Sequence, residues 1–253
     1  MLACLAFCLA SSFIYIVNDI VDREKDKLHP QKRNRPLASG AVKVPVAIAA
    51  AIFSLIIASA LLYGLGSFKS AATVAIYIGI NILYSWRLKT LPLVDVFCIA
   101  FGFILRLYAG ALVIDVPVSG HLFMITLFIA LFLAFGKRKS ELLKIGAVAR
   151  KSLSGYSLET IDKYLVVLAG AIIISYAIFT LDATVSDKFG DHMIYSLVFV
   201  IYGIFRYMAE LDRSEDYYDP TENLYRDKIL LTVCVAFGVY VMLTATRVLW
   251  RNL

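Results

Sequence analysis

The chain has 253 residues, of which 60% are hydrophobic and only 17% charged, with a formal net charge of +6. An average soluble domain is about 25% charged, and so large an apolar excess could not be buried in one soluble core of this length. A soluble single-core fold is thereby excluded, and the apolar residues have to be placed segment by segment.

Eight apolar stretches follow one another, at roughly 1–17, 44–65, 70–86, 93–114, 121–135, 164–181, 193–208 and 229–248. Most approach the ~20 residues that cross ~30 Å of hydrocarbon as a helix. The run 121–135 is short, and His121 and Gly136 extend it only a little. The expected fold is all-α, a polytopic transmembrane helical bundle with eight spans. The first stretch lacks the positive flank of a secretory signal and runs straight into charged sequence. Cys4, Cys8, Cys98 and Cys234 all lie inside apolar stretches and read as small hydrophobes, not as a disulfide set or a metal cluster.

Basic residues alternate by loop. Nineteen of the 25 lysines and arginines fall in 19–43, 86–92, 137–163 and 207–228, whereas 63–70, 115–120 and 182–192 hold only Lys69 and Lys188. Basic loops stay on the cytoplasmic side during insertion. The expected location is the cell (inner) membrane, multi-pass, with the chemistry in cytoplasmic loops. The positive charge is then a topology signal and calls for no nucleic-acid partner.

The first span ends in Asn18-Asp19-Ile20-Val21-Asp22-Arg23-Glu24-Lys25-Asp26. At ~100° per residue, Asn18, Asp19, Asp22 and Asp26 share an arc about 100° wide, and Glu24 points to the opposite side. Carboxylates crowded on one face repel one another. Hard oxygen donors at the rim of a membrane cavity suit Mg²⁺, which uses one or two carboxylates and completes its shell with phosphate oxygens. Taken alone the pattern equally suits a solvated amphipathic helix with Arg23 and Lys25 as counter-charges. The next loop, His29 to Gly40, adds Lys32, Arg33 and Arg35, the cations that a metal-bound polyphosphate needs.

The strings N-D-I-V-D-R-E-K-D and K-R-N-R-P-L-A-S-G resemble the first aspartate-rich motif of the UbiA superfamily of intramembrane prenyltransferases. That resemblance implies Mg²⁺ on a diphosphate, held by Asn18, Asp19, Asp22 and Asp26, with the three aspartates as catalytic metal ligands. It also implies nine transmembrane helices around a lateral cavity, and a single transmembrane transferase domain over residues 1–253. Family members carry one helix before this motif, so this chain starts at what corresponds to their second.

Further along, Asn81 lies about 7 Å inside its span from Trp86 at ~1.5 Å per residue, and is expected to line the cavity mouth with Tyr84. Arg87 and Lys89 follow as candidate substrate cations. Arg106 lies about 16 Å deeper than Asp95 on the same scale, and serves equally as an interior functional group or as a packing arginine. After the fifth span, where the family's prenyl-transferring members commonly have a second aspartate-rich loop, the chain reads Phe135-Gly136-Lys137-Arg138-Lys139-Ser140-Glu141-Leu142. A cationic loop with one carboxylate suits a second substrate bearing its own phosphate, held by Lys137 and Arg138 with Glu141. It also suits an ordinary positive-inside loop.

That string, with Tyr84 to Lys89, Gly102 to Arg106, Gly155-Tyr156-Ser157-Leu158-Glu159 and Tyr202 to Tyr207, resembles one branch of the superfamily, the decaprenyl-phosphate phosphoribosyltransferases. The branch implies phosphoribosyl diphosphate as donor, a polyprenyl phosphate as acceptor, Mg²⁺ as cofactor and Tyr156 among the substrate-binding residues. A UbiA-type prenyltransferase moving a polyprenyl group to an aromatic or other small acceptor is the alternative. A transporter is disfavoured by the absence of a half-sequence repeat and by carboxylates at the rim. Asp216, Asp219, Glu222 and Asp227 are too irregularly spaced for a metal motif and read as a solvated connector, with Tyr225-Arg226-Asp227 a faint family echo. Arg206 reads as a snorkelling cation at a span end.

Overall fold

In hydrocarbon every backbone N–H and C=O must find its partner within its own segment or a closed sheet, and this chain answers with helices. The computed structural model describes residues 2–28, 32–66, 68–145, 151–213 and 226–251, and those residues contain no strand. The chain divides into two compact units, Met1–Val118 and Ser119–Leu253.

The first unit contains α1 (Leu2–Leu28), α2 (Val44–Gly64), α3 (Phe68–Trp86) and α4 (Val94–Val113). Lipid tails are as apolar as leucine, so these helices are held by close packing and hydrogen bonds rather than by escape from water. Ala6 and Ala10 of α1 are fully buried against Ala58, Leu62, Val74 and Ala109, small side chains that let the helices approach. The Ser70 hydroxyl donates to the Ala109 carbonyl at 3.0 Å and ties α3 to α4. On α2, Ser54 and Ser59 return their hydroxyls to the carbonyls of Ala50 and Leu55, so these two groups are satisfied within the helix.

α1 does not stop at the end of its apolar stretch. Its 27 residues reach ~40 Å at ~1.5 Å per residue, longer than the hydrocarbon is thick, and carry the acidic segment as continuous helix.

The second unit contains α5 (Gly120–Ile145), α6 (Leu158–Thr180), the short α7 (Ala183–Phe189), α8 (Leu197–Arg213) and α9 (Lys228–Arg251). Its core centres on Tyr176, Val185 and Met193, and the Tyr176 hydroxyl is hydrogen-bonded to Ser196 at 2.7 Å. α5 corrects one expectation: the string Phe135 to Leu142 is not a loop but the continuation of the helix. Lys, Arg, Glu and Leu all favour helix, so the end of the apolar run is not the end of the element.

Seven described helices are long and apolar enough to cross a membrane. The eighth long helix, α3, carries Lys69, Asn81 and Ser85, which dilute its apolarity. The expected count of eight spans is therefore approximate, while the all-α multi-pass architecture stands. His29 to Gln31, and Asp216, Asp219, Glu222 and Tyr225 of the polar connector, lie outside the described residues.

Arg206, read from the sequence as a snorkelling cation at a span end, has two acid partners there. Its Nε donates to Asp227 at 2.6 Å and its Nη2 meets Glu210 at 2.8 Å. The other Asp227 oxygen accepts the backbone N–H groups of Ile229 and Leu230, capping α9. Burial pushes the Asp227 carboxyl up, but the Arg206 bond and the two N–H groups outweigh it and hold the carboxyl below its usual range. A depressed carboxyl stabilises the fold at neutral pH and loses that contribution as the pH falls through its folded value. Asp227→Asn should destabilise the protein by about 2 kcal/mol at pH 7, read as a lower melting temperature in detergent. The gap between variant and wild type should close as the pH is lowered through the Asp227 titration.

Candidate functional site

The last turns of α1 project a row of carboxylates, and two cations from elsewhere in the first unit are inserted into it. Arg35 Nη1 donates to Asp19 at 2.8 Å and to Asp26 at 2.9 Å, one nitrogen bridging residues two helical turns apart. Lys89 Nζ donates to both oxygens of Asp22, each at 2.6 Å. Asp26 and Lys89 are buried, 5% and 7% exposed. Asn18 stands on the same face, and its Oδ1 is a buried acceptor with no hydrogen-bond partner. Glu24, on the opposite side as the periodicity requires, makes exposed pairs with Lys27 at 2.7 Å and Arg23 at 3.9 Å.

Local structure explains why these cations are available. After a short 3-10 turn at Lys32–Asn34, the loop folds back with Ser39 N–H on the Arg35 carbonyl at 2.8 Å, and it turns at Gly40, whose φ of +82° favours glycine. Arg23 Nε reaches from α1 to the Leu37 carbonyl at 3.1 Å, and Leu37 and Ala38 are buried. Arg35 is thus carried by a loop pinned to α1 itself. Lys89 sits in a second 3-10 turn, Leu88–Thr90, between α3 and α4.

The structure therefore brings together Asp19, Asp22, Asp26, Arg35 and Lys89. Arg33 and Arg87 are exposed and Lys32 lies at the start of the turn. Asn81 does not open onto a cavity mouth with its amide nitrogen; that group donates to the Tyr77 carbonyl of its own helix at 2.8 Å, and Tyr84 is half-buried. Arg106 faces the interior, with Nη2 donating to the Tyr77 hydroxyl at 2.9 Å and its guanidinium 5.2–5.6 Å from the rings of Phe103, Tyr77 and Phe7. Cation–π contacts give it an aromatic seat, the packing role weighed above.

The oxygen donors on α1 fit a divalent cation in kind, and the unpartnered Asn18 oxygen adds an acceptor that such a cation would satisfy. Among the described residues no three His, Cys, Asp or Glu side chains converge on one point. Arg35 stands on one oxygen each of Asp19 and Asp26, and Lys89 on both oxygens of Asp22.

In the second unit the cationic string is drawn inward. Arg138 is 1% exposed and paired with Glu141. Lys139 is buried too and binds two carboxylates, Asp162 at 2.6 Å and Asp212. Tyr156 packs edge-on against Phe135 at 6.2 Å between ring centres, and the following Ser157 caps α6 through the Thr160 N–H at 3.1 Å. Lys139, Asp162 and Asp212 were missed in the sequence, where Glu141 was the only carboxylate weighed here. A signal existed: Phe132, Phe135 and Lys139 fall on one face of α5, and a lysine on an apolar face needs an acid partner.

The chain matches the UbiA prenyltransferase family over residues 1–219. It is 33% identical to the decaprenyl-phosphate phosphoribosyltransferase of Corynebacterium glutamicum, over 95% of this chain and 76% of that protein. The protein of the same name from Mycobacterium tuberculosis is 28% identical, over 93% of this chain and 78% of its own length. A UbiA homolog from Archaeoglobus fulgidus bound to DMAPP and Mg²⁺ has the same fold, with a TM-score of 0.72 and 21% identity over 97% of this chain and 86% of that one.

Gly136 offers a direct check on the buried string. A Cβ at this position would run into the Tyr207 hydroxyl and meet its ring at 3.2 Å. Gly136→Ala should lower stability by about 2 kcal/mol, despite the better helix propensity of alanine. Adding Tyr207→Phe, which removes the nearest atom, should recover part of that loss in the same melting assay.

Proposed function

Because the chain belongs to the UbiA prenyltransferase family, and is a multi-pass membrane transferase, we propose that it moves a 5-phosphoribosyl group from phosphoribosyl diphosphate to a polyprenyl phosphate, releasing diphosphate. The observation that carries this reading is the carboxylate row of α1 with Arg35 and Lys89 set into it, a site built for a metal and an anion together. The named relatives, similar over more than nine-tenths of this chain, supply the substrate class.

In this reading Asp19, Asp22 and Asp26, with Asn18, hold Mg²⁺. Mg²⁺ when bound supplies Lewis-acid stabilisation of the departing diphosphate. Arg35, Lys89, Lys32 and Arg33 neutralise the remaining diphosphate oxygens, with Arg87, Asn81 and Tyr84 nearby on α3 and the turn after it. The bond from the ribose carbon to the diphosphate oxygen breaks with its electron pair leaving on the diphosphate. The lipid phosphate oxygen forms the new bond, and being already anionic it needs no general base. Lys137 and Arg138 hold that phosphate, with Glu141 and Tyr156 orienting the cations. Positioning and electrostatics carry the acceleration. The whole chain acts as one catalytic domain, with these groups at the cytoplasmic face of the inner membrane.

One observation favours a second reading, a prenyltransferase using a prenyl diphosphate. Lys139 gathers Asp162 and Asp212, so the second unit has paired carboxylates as well as cations, and the solved relatives bind DMAPP or GPP with Mg²⁺.

The two readings separate in a radiolabel transfer assay on membranes carrying the protein. With Mg²⁺, labelled phosphoribosyl diphosphate and a polyprenyl phosphate, label should enter the organic phase. It should fall by about 10²-fold or more in Asp22→Ala and in Lys137→Ala, and disappear with a chelator. Product from a prenyl diphosphate and an aromatic acid instead would establish the second reading.

A further inference from the structure

The two cations in the carboxylate row sit where a metal would have to sit. Lys89 Nζ is equidistant from both Asp22 oxygens at 2.6 Å. A Mg²⁺ ion on the same two oxygens, at ~2.1 Å, would fall on the same line and coincide with the ammonium. Arg35 Nη1 likewise fills the space between Asp19 and Asp26. Metal and side-chain cation therefore exclude one another at these oxygens.

Neither cation can drift far when displaced. Lys89 rises from a turn fixed between two helices, and Arg35 from a loop fastened to α1 through Arg23 and Leu37. Each has a long stem, so the charged head can swing several ångströms while its backbone stays fixed. A displaced head then needs a new anion close by. Three carboxylates and two cations leave one negative charge in excess, and adding a divalent ion makes the group positive. Leaving that positive excess without a counter-anion in a partly buried site is unfavourable.

Resting on the metal–diphosphate reading above, we propose that Arg35 and Lys89 are exchangeable counter-cations. Without ligand they hold the carboxylates of Asp19, Asp22 and Asp26 together; when a metal–diphosphate complex arrives they pass from the carboxylates to the diphosphate. The site thereby resists free metal and accepts the metal together with a diphosphate, and the two ligands are coupled reciprocally. Arg35 and Lys89 act as positioning residues for the metal as well as contacts for the anion.

The test uses the purified full chain in detergent, with Mn²⁺ alone followed by electron paramagnetic resonance and Mg²⁺–pyrophosphate followed by calorimetry. Lys89→Gln should bind Mn²⁺ alone about tenfold more tightly than wild type and the Mg²⁺–pyrophosphate complex at least tenfold more weakly, a coupling of ordinary allosteric size. Arg35→Gln should move both affinities in the same senses. Lys89→Arg, which keeps the charge and a folded site, should leave Mn²⁺ binding near wild type. A purely structural lysine would lower both affinities together, and that result, or unchanged Mn²⁺ binding in folded Lys89→Gln, would overturn the exchange. Wild type that binds pyrophosphate complex and free Mn²⁺ equally well would overturn it too. If no form binds metal with or without pyrophosphate, the metal–diphosphate reading itself fails, and the exchange with it.

Discussion

A carboxylate leaves water at a cost that an adjacent cation offsets, and α1 brings three to one face of its final turns. Everything around that segment follows from this constraint. The helix must be long enough to carry the acids clear of the hydrocarbon. The loop after it must turn back rather than run away, so that Arg35 reaches Asp19 and Asp26. The connection between α3 and α4 must place Lys89 against Asp22. Removing one partner of such a buried pair leaves an uncompensated charge, which is far more damaging than the pair is stabilising.

The apolar parts of the first unit serve the same end by different means. Buried alanines bring α1 against α2 and the other helices closely enough for long-range polar contacts to form. Arg106 shows how one positive charge is tolerated within a span, through aromatic faces and one tyrosine hydroxyl rather than a carboxylate. These contacts fix the axis of α1, and the direction of its acidic face follows from that axis.

Much of this was legible in the sequence because it is periodic or compositional. The arc of Asn18, Asp19, Asp22 and Asp26 needs only the helical repeat, and Glu24 falls outside it as that repeat requires. Family membership and the all-α multi-pass architecture were legible in motif strings and apolar runs. What escaped depends on contacts between distant residues. Lys89 meets Asp22 across 67 positions and Lys139 meets Asp212 across 73, and no local pattern encodes either pair. The end of α5 was misjudged for another reason: charge was taken as a sign of loop, although Lys137 to Leu142 is good helix-forming sequence. At Gly136 the space beside the helix is filled by Tyr207, another contact between residues far apart in the chain.

The second unit sharpens what its cationic string can do. A lysine bound to two carboxylates and an arginine bound to one are not loose charges awaiting any anion. Each is held by an acid partner, so an anion drawn to them would have to compete with Glu141 at Arg138 and with Asp162 and Asp212 at Lys139. Competition of that kind costs affinity but gains discrimination, because a single negative charge cannot replace two carboxylates whereas a phosphate, with its greater charge and several acceptor oxygens, can. The same logic applies to the carboxylate row on α1, where, in the proposed function, Arg35 and Lys89 would be the competitors of a metal arriving with its diphosphate. In both units these charged side chains are already paired with one another, so a ligand entering either place would have to bring enough charge of its own to replace what it displaces.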